Sequence, residues 1–353
     1  MAEPNVDEIN VATRKQIMPS LADNFFKSGP VMRYAKEDRM KIFPGGTLIQ
    51  ENFIYKPMKG GAYSKGSQFD ITRRQTKAGM QFDMKFYEVN VTEFTEDIEV
   101  TLRTPEAVFN TVRVDLANAA LTLSAILEIA IMRHGQNLAA EDRSIHINGF
   151  EEALNDGVNT SYKGNLFPSY GGQTRADVAP ALTPPTGLIP ANVPGGTITN
   201  RVLEHTYQSC VIGDQHPALG ITTTRCMGFI NENYLPLQRL ADTMEPVIGW
   251  PGVKFKQATI VESNYAPGQD GVNDPDIGDY SATAETFLWL NPGPPGDDTH
   301  FRLHISASPK YQFGFTGFKV GRDDTQVAGQ ILVALNFIVR APRLMRFLFG
   351  ITA

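Results

Sequence analysis

Cysteine is nearly absent from this chain: two residues, Cys210 and Cys226, among 353. That excludes a disulfide framework and fits folding in a reducing compartment. Neither has motif neighbours, so both read as small buried apolar residues. Long apolar runs are missing too. A membrane span needs about 18 apolar residues in a row, and the best stretch, 327–339, is broken by Gly329, Gln330 and Asn336 and closed by Arg340. The first ten residues lack the basic and apolar parts of a signal peptide. Positive charge is not in excess: 32 Lys and Arg against 38 Asp and Glu give a net charge of -6, which argues against a broad basic face for holding nucleic acid.

Familiar catalytic signatures are also absent. No Gly-Lys dipeptide exists, so there is no phosphate-cradling P-loop, and neither a Gly-x-Ser-x-Gly elbow nor a His-Glu-x-x-His pair occurs. His300 and His304 flank Phe301-Arg302-Leu303, a strand pattern on which four residues span about 13 Å, too far to share one metal ion. They read as two partly exposed strand histidines. Asp270, Asp274, Asp276 and Asp279 resemble a calcium loop in composition only and read as a solvated acidic loop. No cofactor is implied. Carboxylates are plentiful, however, and a sequence cannot pair them, so a carboxylate-dependent hydrolase on a β-rich scaffold stays open.

What is present is a globular composition, 42% hydrophobic and 20% charged, with 31 Gly and 23 Pro. At roughly 150 residues per domain, about two units are expected. Residues 2–41 mix both charge signs without a long apolar period and read as an extended arm lying against something other than its own core. Phe43-Pro44-Gly45-Gly46 is a turn, and 47–55, 69–72 and 80–91 alternate, with Met80, Phe82, Met84 and Phe86 on one side. The pattern predicts a long hairpin around a flexible tip at 59–66. Lys56, Lys59, Lys65, Arg73, Arg74, Lys77 and Lys85 make it basic against Glu51, Asp70 and Asp83, while Glu88, Glu93, Glu96, Asp97 and Glu99 follow as an acidic strip. Opposite charges on two parts of one chain suggest a head-to-tail contact between copies; two solvated faces are the plainer alternative.

Thr104-Pro105-Glu106 is a helix start. Val108, Val112, Leu116, Ala119, Leu123, Ile126 and Ala130 then fall on one stripe, Arg133 and His134 suit the C-terminal end, and Gly135 stops the helix. Beyond it a short strand is expected at 145–150, a helical turn at 151–154, irregular chain over the Pro- and Gly-rich 161–196, and a helix capped by Thr197 or Thr199. Strands are expected at 218–223, 253–261, 286–290, 301–306, 313–318 and 330–339, a broken helix at 225–240, and a closing segment at 344–351. Few sequential βαβ units appear, so the class is α+β.

The order of elements, arm, basic hairpin, long helix, loop-rich sheet unit and final strands, resembles the major capsid proteins of tailed bacteriophages, whose fold is shared by encapsulins. Ile147-Asn148-Gly149-Phe150-Glu151-Glu152-Ala153-Leu154 resembles the family's passage from its spine helix into the axial domain, Ser169-Tyr170-Gly171-Gly172-Gln173-Thr174-Arg175 its Tyr-Gly-Gly loop, and 327–343, ending in Arg-Ala-Pro-Arg, its last peripheral strand. The resemblance implies an N-terminal arm at 1–41, an extended loop at 42–87, a peripheral domain from 88–146 and 285–340 with its spine helix at 105–134, and an axial domain from 147–284 and 341–353.

It also implies a non-enzymatic subunit forming hexamers and pentamers of an icosahedral head around double-stranded DNA, without sequence-specific contact. A portal at one vertex and no membrane complete that picture, in a virion assembled in the host bacterial cytoplasm. Because little chain precedes the hairpin, a separate scaffolding protein is expected. Lys59 and Lys65 are available for a covalent Lys–Asn lock of the kind some relatives form, but Gly321-Arg322-Asp323-Asp324 offers no Asn, so non-covalent locking or a cement protein is expected instead. An encapsulin-type cargo compartment is the alternative within the same fold.

Overall fold

A computed structural model describes residues 30–32, 40–69, 71–94, 105–133, 145–185, 191–234, 252–294, 299–320 and 326–353. The expectations for most of the arm, for Thr104, His134 and Gly135, and for 321–324 lie outside these residues. In chain order come β1 (Met40–Phe43), β2 (Ile49–Ile54), β3 (Lys77–Phe82), β4 (Lys85–Phe94), a long helix (Pro105–Met132), a helical turn (Phe150–Ala153), β5 (Ser169–Tyr170), β6 (Gln173–Thr174) and a helix (Asn200–Ser209). Then follow β7 (Leu219–Thr222), a helix (Thr224–Tyr234), β8 (Gly252–Phe255), β9 (Ala258–Glu262), β10 (Asn273–Asp274), β11 (Gly278–Asp279) and β12 (Glu285–Leu290). The chain closes with β13 (Phe301–Ser306), β14 (Gln312–Phe315), β15 (Lys319–Val320), β16 (Gln326–Val339) and β17 (Arg346–Ile351). The class is α+β.

Two sheets carry the architecture. The larger is built on β16, which pairs along one side with β13, β14 and β15 and along the other with β4; β1 adds parallel to β13. β16 is long because its Val, Ile, Leu and Phe residues favour extended backbone and its last seven positions are buried on both faces. Asn336, which interrupts that apolar run, is fully buried and earns its place: its amide donates to the Asp83 carbonyl (2.7 Å) and accepts from the Asn148 amide (3.1 Å), tying two loops to the sheet. The second sheet runs β17-β12-β7-β9-β8, with β7 parallel to β9 and the other pairs antiparallel. The strand expected at 253–261 is therefore a tight hairpin, turning at Lys256 with φ of 55°.

The long helix lies against the larger sheet. Val112, Leu116, Ala119 and Leu123 are buried as the stripe predicted, but Leu127, Glu128, Ile129, Ile131 and Met132 are buried as well, while Ile126 and Ala130 are only half-buried. Past Leu123 the helix is enclosed on most sides, so the narrow stripe gives way to an all-round apolar segment. Residues 112–132 are long and apolar enough, by composition, to cross a membrane, although Arg113, Asp115 and Glu128 interrupt the run. Here they pack in the core, each large aliphatic side chain contributing roughly 1.5–3 kcal/mol.

Four further expectations change. Residues 145–150 are not a strand: 147–149 have no regular structure, with Gly149 extended, and the chain enters the helical turn at Phe150. The proposed single hairpin over 47–91 is two objects, because the chain breaks at Asp83-Met84 and β4 turns away to pair with β16 over ten residues. Of the strand expected at 69–72, residues 69, 71 and 72 are without regular structure and Asp70 lies outside the described residues. Arm residues 30–32 form a helical turn, and Val31 and Met32 are completely buried within the same core as the long helix, so this part of the arm packs on its own chain. Of the two candidate caps, Thr199 is the one used: its hydroxyl accepts from the Val202 amide at 3.3 Å. Thr199→Ala is expected to lower unfolding stability by about 1 kcal/mol, read from the urea midpoint at unchanged slope.

Candidate assembly interface

The hairpin of β2 and β3 exposes large apolar side chains at its tip and is held firmly at its root. Glu51, in the middle of β2, points inward and is 6% exposed. Its Oε1 lies 3.4 Å from Arg302 Nη1 and 3.2 Å from His304 Nε2, and its Oε2 lies 3.2 Å from Arg340 Nε. Burial pushes the Glu51 carboxyl up, but the His304 imidazole and the Arg340 and Arg302 charges outweigh it and hold the group below the usual carboxylate range. His304 is thus a buried partner of an acid rather than a partly exposed strand histidine. Half-buried His300 donates from Nδ1 to the Asn291 carbonyl, 3.2 Å away.

The opposite strand of the root is held by the Tyr-Gly-Gly loop. The Gln81 amide donates to the Gly171 carbonyl at 2.9 Å, and the Gln173 side chain donates to the Gly79 carbonyl at 2.8 Å. Gly171 has φ of 56°, and a Cβ there would sit 2.7 Å from Met80 Cβ and 2.8 Å from the Phe82 ring, so glycine answers both the turn and the close approach. Met80 and Phe82 are buried against this loop, with the Phe82 and Tyr170 rings edge to face at 5.2 Å. Phe86, expected on the same side, is exposed, because it lies beyond the break on β4. The buried Arg175 guanidinium donates to the carbonyls of Phe167, Leu182 and Glu152 and keeps the loop's shape.

Between Tyr55 and Thr76 the described residues are without regular structure, apart from a turn at 65–66. Lys59, Lys65, Arg73, Arg74 and Lys77 are exposed as expected; Lys56 is half-buried, its Nζ 5.2 Å over the Tyr55 ring. The sequence reading weighed only charge here. The same tip exposes Met58, Tyr63, Phe69 and Ile71, the last at 92%, with Tyr63 and Phe69 in edge contact at 5.0 Å. A cluster of exposed large apolar side chains marks an interaction surface far more specifically than lysines do. The signal was in the sequence, as four large apolar residues among glycines and bases.

The acidic strip fares differently. Glu88 is exposed on β4, but Glu93 is half-buried and, five positions along a strand, points to the opposite face. The two do not form one surface. Glu96, Asp97 and Glu99 lie outside the described residues. Glu88 instead shares the solvent face of β4 with Phe86, Asn90, Thr92 and Phe94, an apolar and acidic surface on the edge of the larger sheet.

The acidic insert is only partly solvated. Asp279 is 4% exposed and binds Arg133 at the end of the long helix (3.0 Å) and Lys163 (3.1 Å). Arg133 is thereby a buried ion-pair partner in addition to a helix-end cation. Among the described residues no cluster of His, Cys, Asp or Glu could hold a metal, and both cysteines are buried, with burial pushing each thiol up to about 12. One cavity, of about 420 Å³, contains the carboxylates Glu151 and Asp156 together with Arg346. Glu151 accepts from Ser161 Oγ (2.5 Å) and Asn165 Nδ2 (3.0 Å). Burial pushes Asp156 up, yet the donors of Asn159 and the Val158 amide outweigh it and hold the carboxyl low. Both groups are engaged in shaping their loops, which is poor preparation for general acid work.

No family model matches the chain, and no curated protein matches it. Solved structures do. The capsid asymmetric unit of cyanophage A-1(L) aligns over 92% of this chain and 93% of its own, at 12% identity and a TM-score of 0.59. The SrpI encapsulin of Synechococcus elongatus PCC 7942, in its holo complex, aligns over 99% and 96% at 10% identity and 0.54. The capsid of a native GTA particle aligns over 90% of both chains at 9% identity and 0.50. Aligned nearly end to end at low identity, these structures define a fold. More particularly, the chain has the fold common to tailed-phage capsid proteins and encapsulins.

Proposed function

We propose that this chain is the major capsid protein of a tailed phage, building an icosahedral head from hexamers and pentamers around double-stranded DNA. The observation that carries the reading is the hairpin: a root locked by buried charge and a close-fitting glycine loop, and a tip whose apolar and basic side chains are left uncovered by its own chain. A subunit that ended there would gain nothing from exposing Ile71 and Phe69 to water. A neighbouring copy supplies the missing cover, and the solvent face of β4, with Glu88 between Phe86 and Phe94, matches the tip in both charge and apolarity.

In this reading the larger sheet and long helix form the peripheral unit and the smaller sheet the axial unit. We place the boundary after Leu290 and not at 285, since β12 pairs with β7 and β17. A separate scaffolding protein, a portal at one vertex, a cement protein or non-covalent locking, and assembly in the host cytoplasm with the virion as final location belong to the same proposal.

The double reversal Arg73→Glu with Arg74→Glu tests the contact. With phage partners co-expressed, the wild-type protein is expected to give uniform particles in electron micrographs, and the variant to remain in small oligomers at unchanged thermal stability. Intact particles from the variant would refute the role of the tip. The near end-to-end alignment with an encapsulin supports a second reading, a cargo compartment; nuclease-protected DNA within the particles supports the head, and a packaged enzyme supports the compartment.

A further inference from the structure

One buried acid plays no part in the hairpin or its root. Glu128, on the long helix, is fully buried, and each of its oxygens accepts one amide of the arm turn: Val31 N to Oε1 at 3.3 Å and Met32 N to Oε2 at 3.2 Å. Val31 and Met32 are themselves completely buried beside the helix. We propose that this contact is a proton-dependent clasp, which holds residues 30–32 on the long helix while Glu128 is neutral and loosens once it is ionised.

A carboxylate removed from water needs a cation or several short charge-assisted hydrogen bonds, and each oxygen here has a single amide at the long end of the usual range. Among the described residues no cation faces it. From the loop after β9 it is faced by Tyr265, whose phenol is pushed up by burial, by Tyr280 and by Glu128. The turn contributes only Pro30, Val31 and Met32, with no titratable side chain. On the helix itself Ser124 precedes Glu128 by one turn, and Arg133 is engaged by Asp279. Burial accordingly pushes the Glu128 carboxyl up to about 7, the two arm amides only partly offsetting it. Opening the clasp hydrates the charge, so the docked form is favoured below the ordinary carboxylate range and loses that advantage as pH rises through about 7.

The inference concerns contacts within one copy and is independent of the shell reading. Hydrogen exchange of the Val31 and Met32 amides, corrected for intrinsic rates and measured on the full-length protein from about pH 5.5 to about pH 8.5, tests it. Protection is expected to fall at least tenfold across this range and to level off above about pH 7, while the middle of the long helix stays protected. In Glu128→Gln, which keeps one acceptor and never ionises, protection is expected to be flat with pH. Equal protection across the range in the wild type, or the same fall in the Gln variant, overturns the proposal. If that variant folds poorly, infrared spectra of the wild type decide: a buried neutral carboxylic acid band present at the lower pH and lost at the higher supports the clasp, and its absence at both refutes it.

Discussion

Glu51→Ala is expected to cost about 3–5 kcal/mol of unfolding stability and to unseat the hairpin from the larger sheet. The carboxylate is shared by two side chains almost wholly removed from water, Arg302 and His304, and by Arg340, which is about a quarter exposed. Removing it leaves like charges facing one another in a poorly hydrated space, which is worse than losing a contact. Urea unfolding reads the loss, and faster proteolysis between Tyr55 and Lys77 at low urea reads the release of the hairpin. A drop below 1 kcal/mol would mean that water or the hairpin's apolar contacts already screen the cluster. Acid acts in the same direction. Because the Glu51 carboxyl is held below its ordinary range, its contribution is present above that range and is lost as pH falls through the folded value. Glu128 has the opposite sign, so the two buried glutamates make stability fall at both ends of a window between them.

Gly149→Ala is the second large effect, about 3 kcal/mol or more, with loss of soluble protein as the extreme outcome. The backbone of Gly149 has φ of -90°, open to any residue, so the cost is one of space. A Cβ would overlap the Arg133 carbonyl oxygen and lie 2.6 Å from its carbon and 2.7 Å from the Ala130 carbonyl oxygen. These are backbone atoms at the end of the long helix, and they cannot give way while the Arg133 side chain is tied to Asp279. Gly60→Ala, where a Cβ meets nothing within 4 Å, is the matched control and is expected to leave the melting temperature within about 1 °C. Equal melting temperatures for both variants would show that the helix end moves.

Comparison of the sequence with the structure separates local signals from distant ones. Pro105, the Thr199 cap, the apolar strands β12 and β16 and the Tyr-Gly-Gly loop were all legible, because each is set by neighbours within a few positions. The break at Asp83-Met84 was not, since the alternation of Met80, Phe82, Met84 and Phe86 runs through it undisturbed. Glu51, His304 and Asp279 were misread as ordinary strand or loop residues. Glu51 meets Arg302 across 251 positions of sequence, and Asp279 meets Arg133 across 146, distances over which a single sequence carries no pairing information. Of the candidate interface, Lys59, Lys65, Arg73, Arg74 and Lys77 are exposed, Lys56 is half-buried, and the apolar tip was missed. The opposition of Glu88 and Glu93, by contrast, could have been read from strand parity alone.

The hairpin leaves the larger sheet from β1 and returns to it through β4, and these strands are the sheet's two opposite edges. Its two feet therefore stand astride the full width of the sheet. Any shear that slides one edge past the other must tilt the line between the feet, and a tip up to roughly 36 Å away along about eleven extended residues would swing by a multiple of that slip. The sheet is in this sense a strain gauge and the hairpin its needle: flattening or twisting of one subunit becomes a displacement its neighbour can feel.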